Sequence, residues 1–204
     1  MLFGYACHNT SLALQKWNAD YAGYAQEFVQ AEHPGVVAMF MMGCGGDQNP
    51  YPRSEVRYAQ QHGRSLATAV EAALETRQTT LYHQHPLRGP LQVVFDTVEL
   101  EYTDPQRPPI AYPIQLVQFG KDLTIVALSS ETVIDYSLRL KSELQSPTGP
   151  AIWIAGYSNV MEGYIPSRRV LLEGGYEAES RPWKPELEER IVAKVHELYR
   201  RLNP

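Results

Sequence analysis

Cysteine, long apolar runs and an excess of positive charge are scarce or missing in this sequence. Only two of its 204 residues are cysteines, Cys7 and Cys44, and both lie within apolar runs. Such cysteines are more typical of small buried side chains than of a disulfide framework. No run of about 18 apolar residues occurs, so we expect no transmembrane helix. The net charge is −5 and the basic residues are scattered, which argues against a nucleic-acid partner.

We expect no export signal at the amino terminus. Met1–Tyr5 contain no basic side chain, and no apolar segment of adequate length follows them. The sequence instead begins directly with a segment typical of a core strand. We therefore expect that an upstream portion of the fold is missing.

The remaining composition is that of an ordinary globular protein, with 44% hydrophobic and 20% charged residues. There is no internal repeat and no low-complexity segment. A chain of this length can build one substantial core, so we predict a single domain over residues 1–204.

Apolar periodicity predicts alternating strands and helices. The predicted strands are Leu2–Cys7, Val36–Met42, Leu91–Tyr102, Ile114–Phe119, Leu123–Ser129 and Ala151–Tyr157. The predicted helices are Trp17–Glu32, Ser54 to about Arg77, Thr132–Leu144, Ser167–Glu173 and Pro185–Leu202. This alternation indicates the α/β class, and the hairpin within residues 91–129 adds antiparallel pairs. We therefore predict a layered domain with a mixed β-sheet flanked by helices.

Polar residues follow the ends of four predicted strands. They are His8, Asp47 with Asn49, Glu131 and Tyr164. In α/β sheets ligands bind beyond the carboxyl ends of the strands, so these side chains would converge if the strands lie side by side. A set of histidine and carboxylate ligands suits zinc.

Each of these residues also has a structural interpretation. A histidine after a strand is often a simple loop residue, Glu131 would complement the dipole of the following helix, and Tyr164 would pack in the core. The other histidines are poorer metal candidates. His83 and His85 lie in a loop beside a proline, and His33, His62 and His196 lie on or next to helices.

Four motifs, the first of which has two parts, occur in the family's order and make the chain similar to the neutral/alkaline ceramidases. The similarity extends to about Ala178. Gly4–Ser11 resembles the family's H-x-T-S motif, and Asn18–Ala25 resembles the S-x-D-x-x-G-[YF]-A segment after it. The loop Gly43–Pro50 is similar to G-D-x-S-P, and Ser130–Thr132 to P-G-E. The last motif, spread over Gly156–Ala178, resembles G-x-x-N…Y-I-T-T…Y-E-A.

This resemblance implies a zinc-dependent amidohydrolase that cleaves the N-acyl amide of ceramide or a related lipid amide. Zn²⁺ would be the cofactor, with His8, Glu131 and Tyr164 as its ligands in this chain. Tyr176 would be catalytic through its contact with the substrate amide, and Asp47 and Asn49 would shape the substrate pocket. The family resemblance also suggests a secreted or periplasmic protein.

The sequence departs from the family pattern at several points. The family's first zinc histidine, with a neighbouring proton-donor histidine, lies well upstream of H-x-T-S, whereas only seven residues precede His8. The serine of G-D-x-S-P is Asn49, which excludes a serine nucleophile at that position. Pro166 and Ser167 replace the Thr-Thr pair, and we expect no immunoglobulin-like carboxyl-terminal domain. We therefore expect a zinc amidohydrolase as the parent protein and an inactive isolated chain.

Two alternatives remain open. One is a non-catalytic binding or scaffold protein built on the ceramidase fold, which would not bind zinc. The other is a carbohydrate- or ester-acting hydrolase that shares only the layered architecture. The sequence does not indicate the oligomeric state.

Overall fold

The computed structural model describes residues 1–75 and 87–203, and these residues form two compact units. The first unit contains residues 1–42 and 48–75, and the second contains residues 43–47 and 87–203. The prediction of a single domain over residues 1–204 stays a prediction, and each unit is described by itself. The end of the helix predicted to reach Arg77 and the pair His83 and His85 lie outside the described residues.

The first unit consists of two short parallel strands and two helices. Its elements are β1 (Leu2–Tyr5), α1 (Asp20–Glu32), β2 (Met39–Met42) and α2 (Val56–Glu75). Strand β1 pairs in register with β2, from Leu2 opposite Met39 to Tyr5 opposite Met42. The unit has two small clusters of buried residues. One contains Phe3, Ala25, Val29, Ala38 and Ala67, and the other contains Cys7, Tyr21 and Ala22. Helices α1 and α2 pack closely at Gly63, where an added Cβ atom would lie 2.5 Å from the Tyr24 Cβ atom.

The second unit is built on a four-stranded mixed sheet. The strands of this unit are β3 (Leu91–Leu100), β4 (Ile110–Phe119), β5 (Leu123–Leu128), β6 (Glu131–Thr132), β7 (Ala151–Ala155) and β8 (Tyr164–Ile165). The sheet has the order β3-β4-β5-β7; its first three strands are antiparallel, whereas β5 and β7 are parallel. Strands β6 and β8 form a separate parallel pair.

The second unit has two longer helices that pack on the sheet and two short ones. They are α3 (Ile134–Leu144), α4 (Arg168–Glu173), α5 (Tyr176–Glu179) and α6 (Leu187–Leu202). Alternate strand residues turn towards α3 and α6 because side chains in a strand point to opposite faces in turn. The resulting core includes Ile114, Leu116, Val126, Leu128, Ile152 and Ile154.

The predicted fold class is confirmed, since a mixed sheet is flanked by helices. Most predicted elements are present with slightly different bounds, and β6, β8 and α5 have no counterpart in the sequence prediction. Both cysteines are free and buried, as expected, and burial raises the pKa of the Cys44 thiol to about 12. Among the residues that the structure describes, no helix combines the length and apolarity needed to cross a lipid bilayer.

Candidate functional site

The parallel pair β6 and β8 brings Glu131 and Tyr164 opposite each other. Their Cα atoms are register partners although the two residues are far apart in the sequence. The Glu131 amide donates to the Gly163 carbonyl at 3.0 Å, and the Val133 amide donates to the Ile165 carbonyl at 3.3 Å. Two of the three predicted zinc ligands are therefore neighbours within one unit.

A strained turn at Ser130 sets the position of Glu131. Ser130 has a φ of 65°, a left-handed conformation that is uncommon for residues other than glycine. Its amide donates to the Val160 carbonyl at 3.0 Å, and its hydroxyl oxygen accepts from the Glu162 amide at 2.9 Å. Ser130 is fully buried, so water does not compete for these hydrogen bonds. They stabilise the turn and thereby fix the backbone position of Glu131.

Tyr164 is supported by a tryptophan. The Trp183 indole donates to the Tyr164 carbonyl at 2.8 Å, and this tryptophan is almost completely buried. Burial and the nearby Glu131 carboxylate, together with Tyr176 and Glu177, raise the pKa of the Tyr164 phenol to about 12. Sequence reasoning missed Trp183, because nothing in its sequence neighbourhood indicates a contact with residue 164.

Tyr176, the predicted catalytic residue, joins this pair. Its ring packs edge-to-face on Tyr164, with the ring centroids 5.3 Å apart. It opens α5 directly after Gly174 and Gly175, whose φ values of 77° and 95° favour glycine. Tyr176 remains 71% exposed, so its side chain is accessible to a ligand.

Asp47 makes structural contacts in the second unit. One carboxylate oxygen accepts from the Ile134 amide at 2.9 Å, at the start of α3, and the other lies 3.7 Å from the Arg169 guanidinium. A carboxylate at a helix amino terminus satisfies a free amide and interacts favourably with the helix dipole. A substrate-binding role for Asp47 stays a prediction.

Replacing Asp47 by alanine should lower the free energy of unfolding by about 1–2 kcal/mol, because the Ile134 amide loses its acceptor. Asp47→Asn, which keeps an oxygen acceptor without the charge, should cost less. Urea unfolding followed by circular dichroism measures both changes. An Asp47→Ala protein as stable as the original chain would contradict this capping role.

His8 and Asn49 lie in the first unit. The His8 amide donates to the Gln48 carbonyl at 2.9 Å, and His8 is buried. The Thr10 hydroxyl donates to the Asn49 side-chain oxygen at 3.4 Å. The segment after β1 and the loop before α2 are thus held together within this unit.

Asp20 fixes the segment that follows His8. Its carboxylate accepts from the Leu12 amide at 2.8 Å and from the Tyr21 amide at 2.7 Å, and Asp20 is 3% exposed. The Tyr21 hydroxyl donates to the Cys7 carbonyl, immediately before His8. In the sequence Asp20 is only one position of a motif, and these bonds give it a positioning role.

The described residues supply only part of a zinc ligand set within either unit. Glu131 offers a carboxylate and Tyr164 a phenol in the second unit, whereas His8 belongs to the first. A catalytic zinc ion usually has three protein ligands. Within the described ranges, no three His, Cys, Asp or Glu side chains gather into a metal-binding group. The donors of the second unit therefore suit a metal ion in chemical type but are too few to hold it alone.

The remaining described histidines have structural partners. His33 lies 2.9 Å from the Glu71 carboxylate, and His196 lies 2.6 Å from the Glu143 carboxylate. His62 contacts the Pro52 carbonyl at 2.7 Å. These contacts account for the three side chains without a metal ion.

Comparison with solved structures gives a match to a ceramidase complexed with C2. The match covers 92% of this chain and 43% of that chain, with a TM-score of 0.72 and 15% sequence identity. The chain therefore has a ceramidase-like fold, as the motif resemblance implied, and it spans less than half the length of the ceramidase it matches. No protein-family model matches the sequence, and no curated protein matches it.

Proposed function

We propose that this chain contributes to a zinc-dependent amidohydrolase that cleaves the N-acyl amide of ceramide or a related lipid amide. The observation that carries the proposal is the grouping of Glu131, Tyr164 and Tyr176 on a ceramidase-like fold. These residues come from separate segments of the sequence, and all three are of the types that the resemblance implies.

In this proposal Glu131 and Tyr164 bind Zn²⁺, and the family resemblance implies His8 as a further ligand. A zinc ion bound there would polarise the scissile carbonyl and lower the pKa of a bound water molecule towards about 7. Glu131 is half-buried and directly follows the turn that the Ser130 hydrogen bonds stabilise. The backbone of Tyr164 is fixed by Trp183.

Tyr176 donates a hydrogen bond to the oxygen that gains negative charge during amide cleavage. Its exposure and its position beside Tyr164 support this role. One such donor contributes about 3 kcal/mol to transition-state stabilisation, which corresponds to a loss in kcat of roughly 100-fold when it is removed. Asn49 is also exposed, and its amide binds the polar part of the substrate.

The test uses protein produced from the complete reading frame of the gene. Zinc binding is measured by calorimetry after removal of metal, and hydrolysis is measured with an N-acylsphingosine that carries a fluorescent acyl chain. We expect one zinc ion per protein and cleavage of the amide. Glu131→Gln should weaken zinc binding by more than about 100-fold, because losing a ligand exceeds the usual effect of losing an outer hydrogen-bond partner.

Matched variants separate the loss of a ligand from general damage. Glu162→Gln changes another half-buried carboxylate of the same unit and should leave zinc binding unchanged. His196→Gln is the corresponding control for His8→Gln. If the protein binds no zinc, the binding or scaffold alternative replaces this proposal. Cleavage of an ester or a glycoside without cleavage of the amide would favour the other hydrolase class.

A further inference from the structure

Both longer helices of the second unit pack on one face of its four-stranded sheet. The core of the unit lies between α3, α6 and this face. Because side chains alternate along a strand, every second strand residue points away from both helices, to a surface that we call the outer face. The outer face consists of three rows of four residues across the sheet: Leu91, Phe119, Leu123 and Ala151; Val93, Val117, Ile125 and Trp153; and Phe95, Gln115, Ala127 and Ala155.

The outer face is apolar and open. Its three rows contain one polar residue, Gln115, and no charged residue. Leu91, Val93 and Phe95 of the edge strand are 61%, 50% and 54% exposed, and the other large side chains of the face are half-buried. With about 4.8 Å between strands and about 3.3 Å per residue, the face covers about 400 Å². Exposed apolar patches of this size often mark interaction sites.

The strand sequences also indicate a sheet that is covered on both faces. Strand β7 contains only apolar residues, and in β5 only Thr124 is polar. Thr124 is buried on the side of the helices, so the outer side of β5 has no polar residue at all. A sheet with one face in water normally alternates apolar and polar residues, whereas continuous apolar strands are typical of sheets buried on both faces. We therefore expect a further layer on the outer face.

Two observations favour one occupant for this layer. The structural match covers 43% of the ceramidase chain, so more than half of that chain has no counterpart here. A second copy of the present chain fits less well, because two outer faces would bury only about 800 Å² in total, whereas stable interfaces usually bury about 1,200–2,000 Å². A layer that belongs to the same polypeptide does not pay the full entropic cost of association, so a small contact area is sufficient for it.

We propose that the outer face is an interaction surface for the part of a ceramidase-like polypeptide that has no counterpart in this chain. The surface of that part which covers Val93, Val117 and Ile125 is apolar and uncharged, because a charge buried against these side chains would have no partner. The proposal rests on the fold and on the outer face. It requires neither zinc binding nor amide cleavage.

The test compares the accessibility of two introduced thiols. Val93→Cys places a thiol on the outer face, and Gln92→Cys places one at an exposed position on the other side of the same strand. Both variants are made in the 204-residue chain and in protein produced from the complete reading frame. Labelling by N-ethylmaleimide in dilute solution is followed by mass spectrometry. The native Cys7 and Cys44 are buried, so they should label slowly.

The two proteins should differ in the reactivity of the outer-face thiol. In the 204-residue chain the two thiols should react at rates within about threefold of each other, because both positions are exposed. In the complete protein Val93→Cys should react at least about tenfold more slowly than Gln92→Cys, since a covered thiol reacts only after local opening. This ratio should not change with protein concentration. Circular dichroism melting shows whether the variants fold, and Phe95→Cys serves in place of Val93→Cys if the latter unfolds.

Several results would overturn the proposal. They are equal labelling of the two thiols in the complete protein, protection of Val93→Cys that is lost on dilution as a dimer separates, and a complete reading frame that adds no residues to the present chain. The second result would assign the outer face to a second copy. Hydrolysis is not measured in this experiment. Protection without zinc-dependent cleavage would therefore reject the proposed function alone, and cleavage without protection would reject this inference alone.

Discussion

Replacing Trp183 by alanine is expected to lower the free energy of unfolding by about 3–5 kcal/mol. Trp183 is 2% exposed, and its ring stacks on Tyr102 with 4.3 Å between the centroids. Its indole also satisfies the Tyr164 carbonyl. The substitution thus removes a large buried ring and the hydrogen-bond donor that fixes Tyr164. Urea unfolding followed by far-ultraviolet circular dichroism measures the loss.

Two further substitutions make this result interpretable. Trp17 is fully exposed, so Trp17→Ala should change stability by less than about 0.5 kcal/mol. Trp183→Phe keeps a buried ring but loses the indole donor, and it should cost about 1–3 kcal/mol. If Trp183→Ala costs no more than Trp17→Ala, Trp183 is not part of the core that supports the candidate site.

Gly46→Ala is expected to destabilise the second unit by about 3 kcal/mol and to displace Glu131. A Cβ atom at Gly46 would lie 2.4 Å from the Glu131 carbonyl oxygen and 3.1 Å from the Thr132 carbonyl carbon. These are backbone atoms and cannot rotate away as a flexible side chain can. The Gly46 amide also donates to the Thr132 carbonyl at 3.0 Å, so relief of the clash would strain this bond.

The readouts are stability and, in protein from the complete reading frame, zinc affinity. Both should fall in Gly46→Ala. Gly89→Ala is the matched control, because its added Cβ atom would meet its nearest neighbour at an ordinary 3.5 Å. That variant should be unchanged or slightly stabilised through the lower chain entropy of its unfolded state. Unchanged stability and zinc affinity in Gly46→Ala would show that the loop does not constrain Glu131.

The fold class is predictable from the sequence because strand and helix periodicities are local properties. The prediction is least accurate where tertiary contacts override those properties. Strand β4 begins at Ile110, ahead of its predicted start at Ile114, and includes Pro113. Its pairing with β5 begins only at Ile114. Among the described residues, Pro113 is therefore paired with β3 and not with β5. Because proline has no backbone N–H group, it cannot donate a hydrogen bond, but at this position no hydrogen bond to β5 is lost.

The candidate site is predictable in its residue types but not in its geometry. Glu131 and Tyr164 each follow an apolar strand, which the sequence shows. Their pairing through β6 and β8 depends on two-residue strands that are too short to produce a periodic pattern. The Gly43–Pro50 motif identifies Asp47 as a candidate. The hydrogen bond from the Ile134 amide to the Asp47 carboxylate, however, joins two residues that are 87 positions apart in the sequence. Sequence patterns describe neighbours along the chain and do not reveal such a contact.

The bond between Asp47 and Ile134 also has a consequence for the order of folding. During synthesis the segment 43–47 emerges well before α3, and the residues 48–75 that follow it belong to the first unit. Closing so long a loop has an entropic cost that must be met before the contact can form. Segment 43–47 can therefore join the second unit only after residue 134 has left the ribosome, whereas all described residues of the first unit have emerged by residue 75.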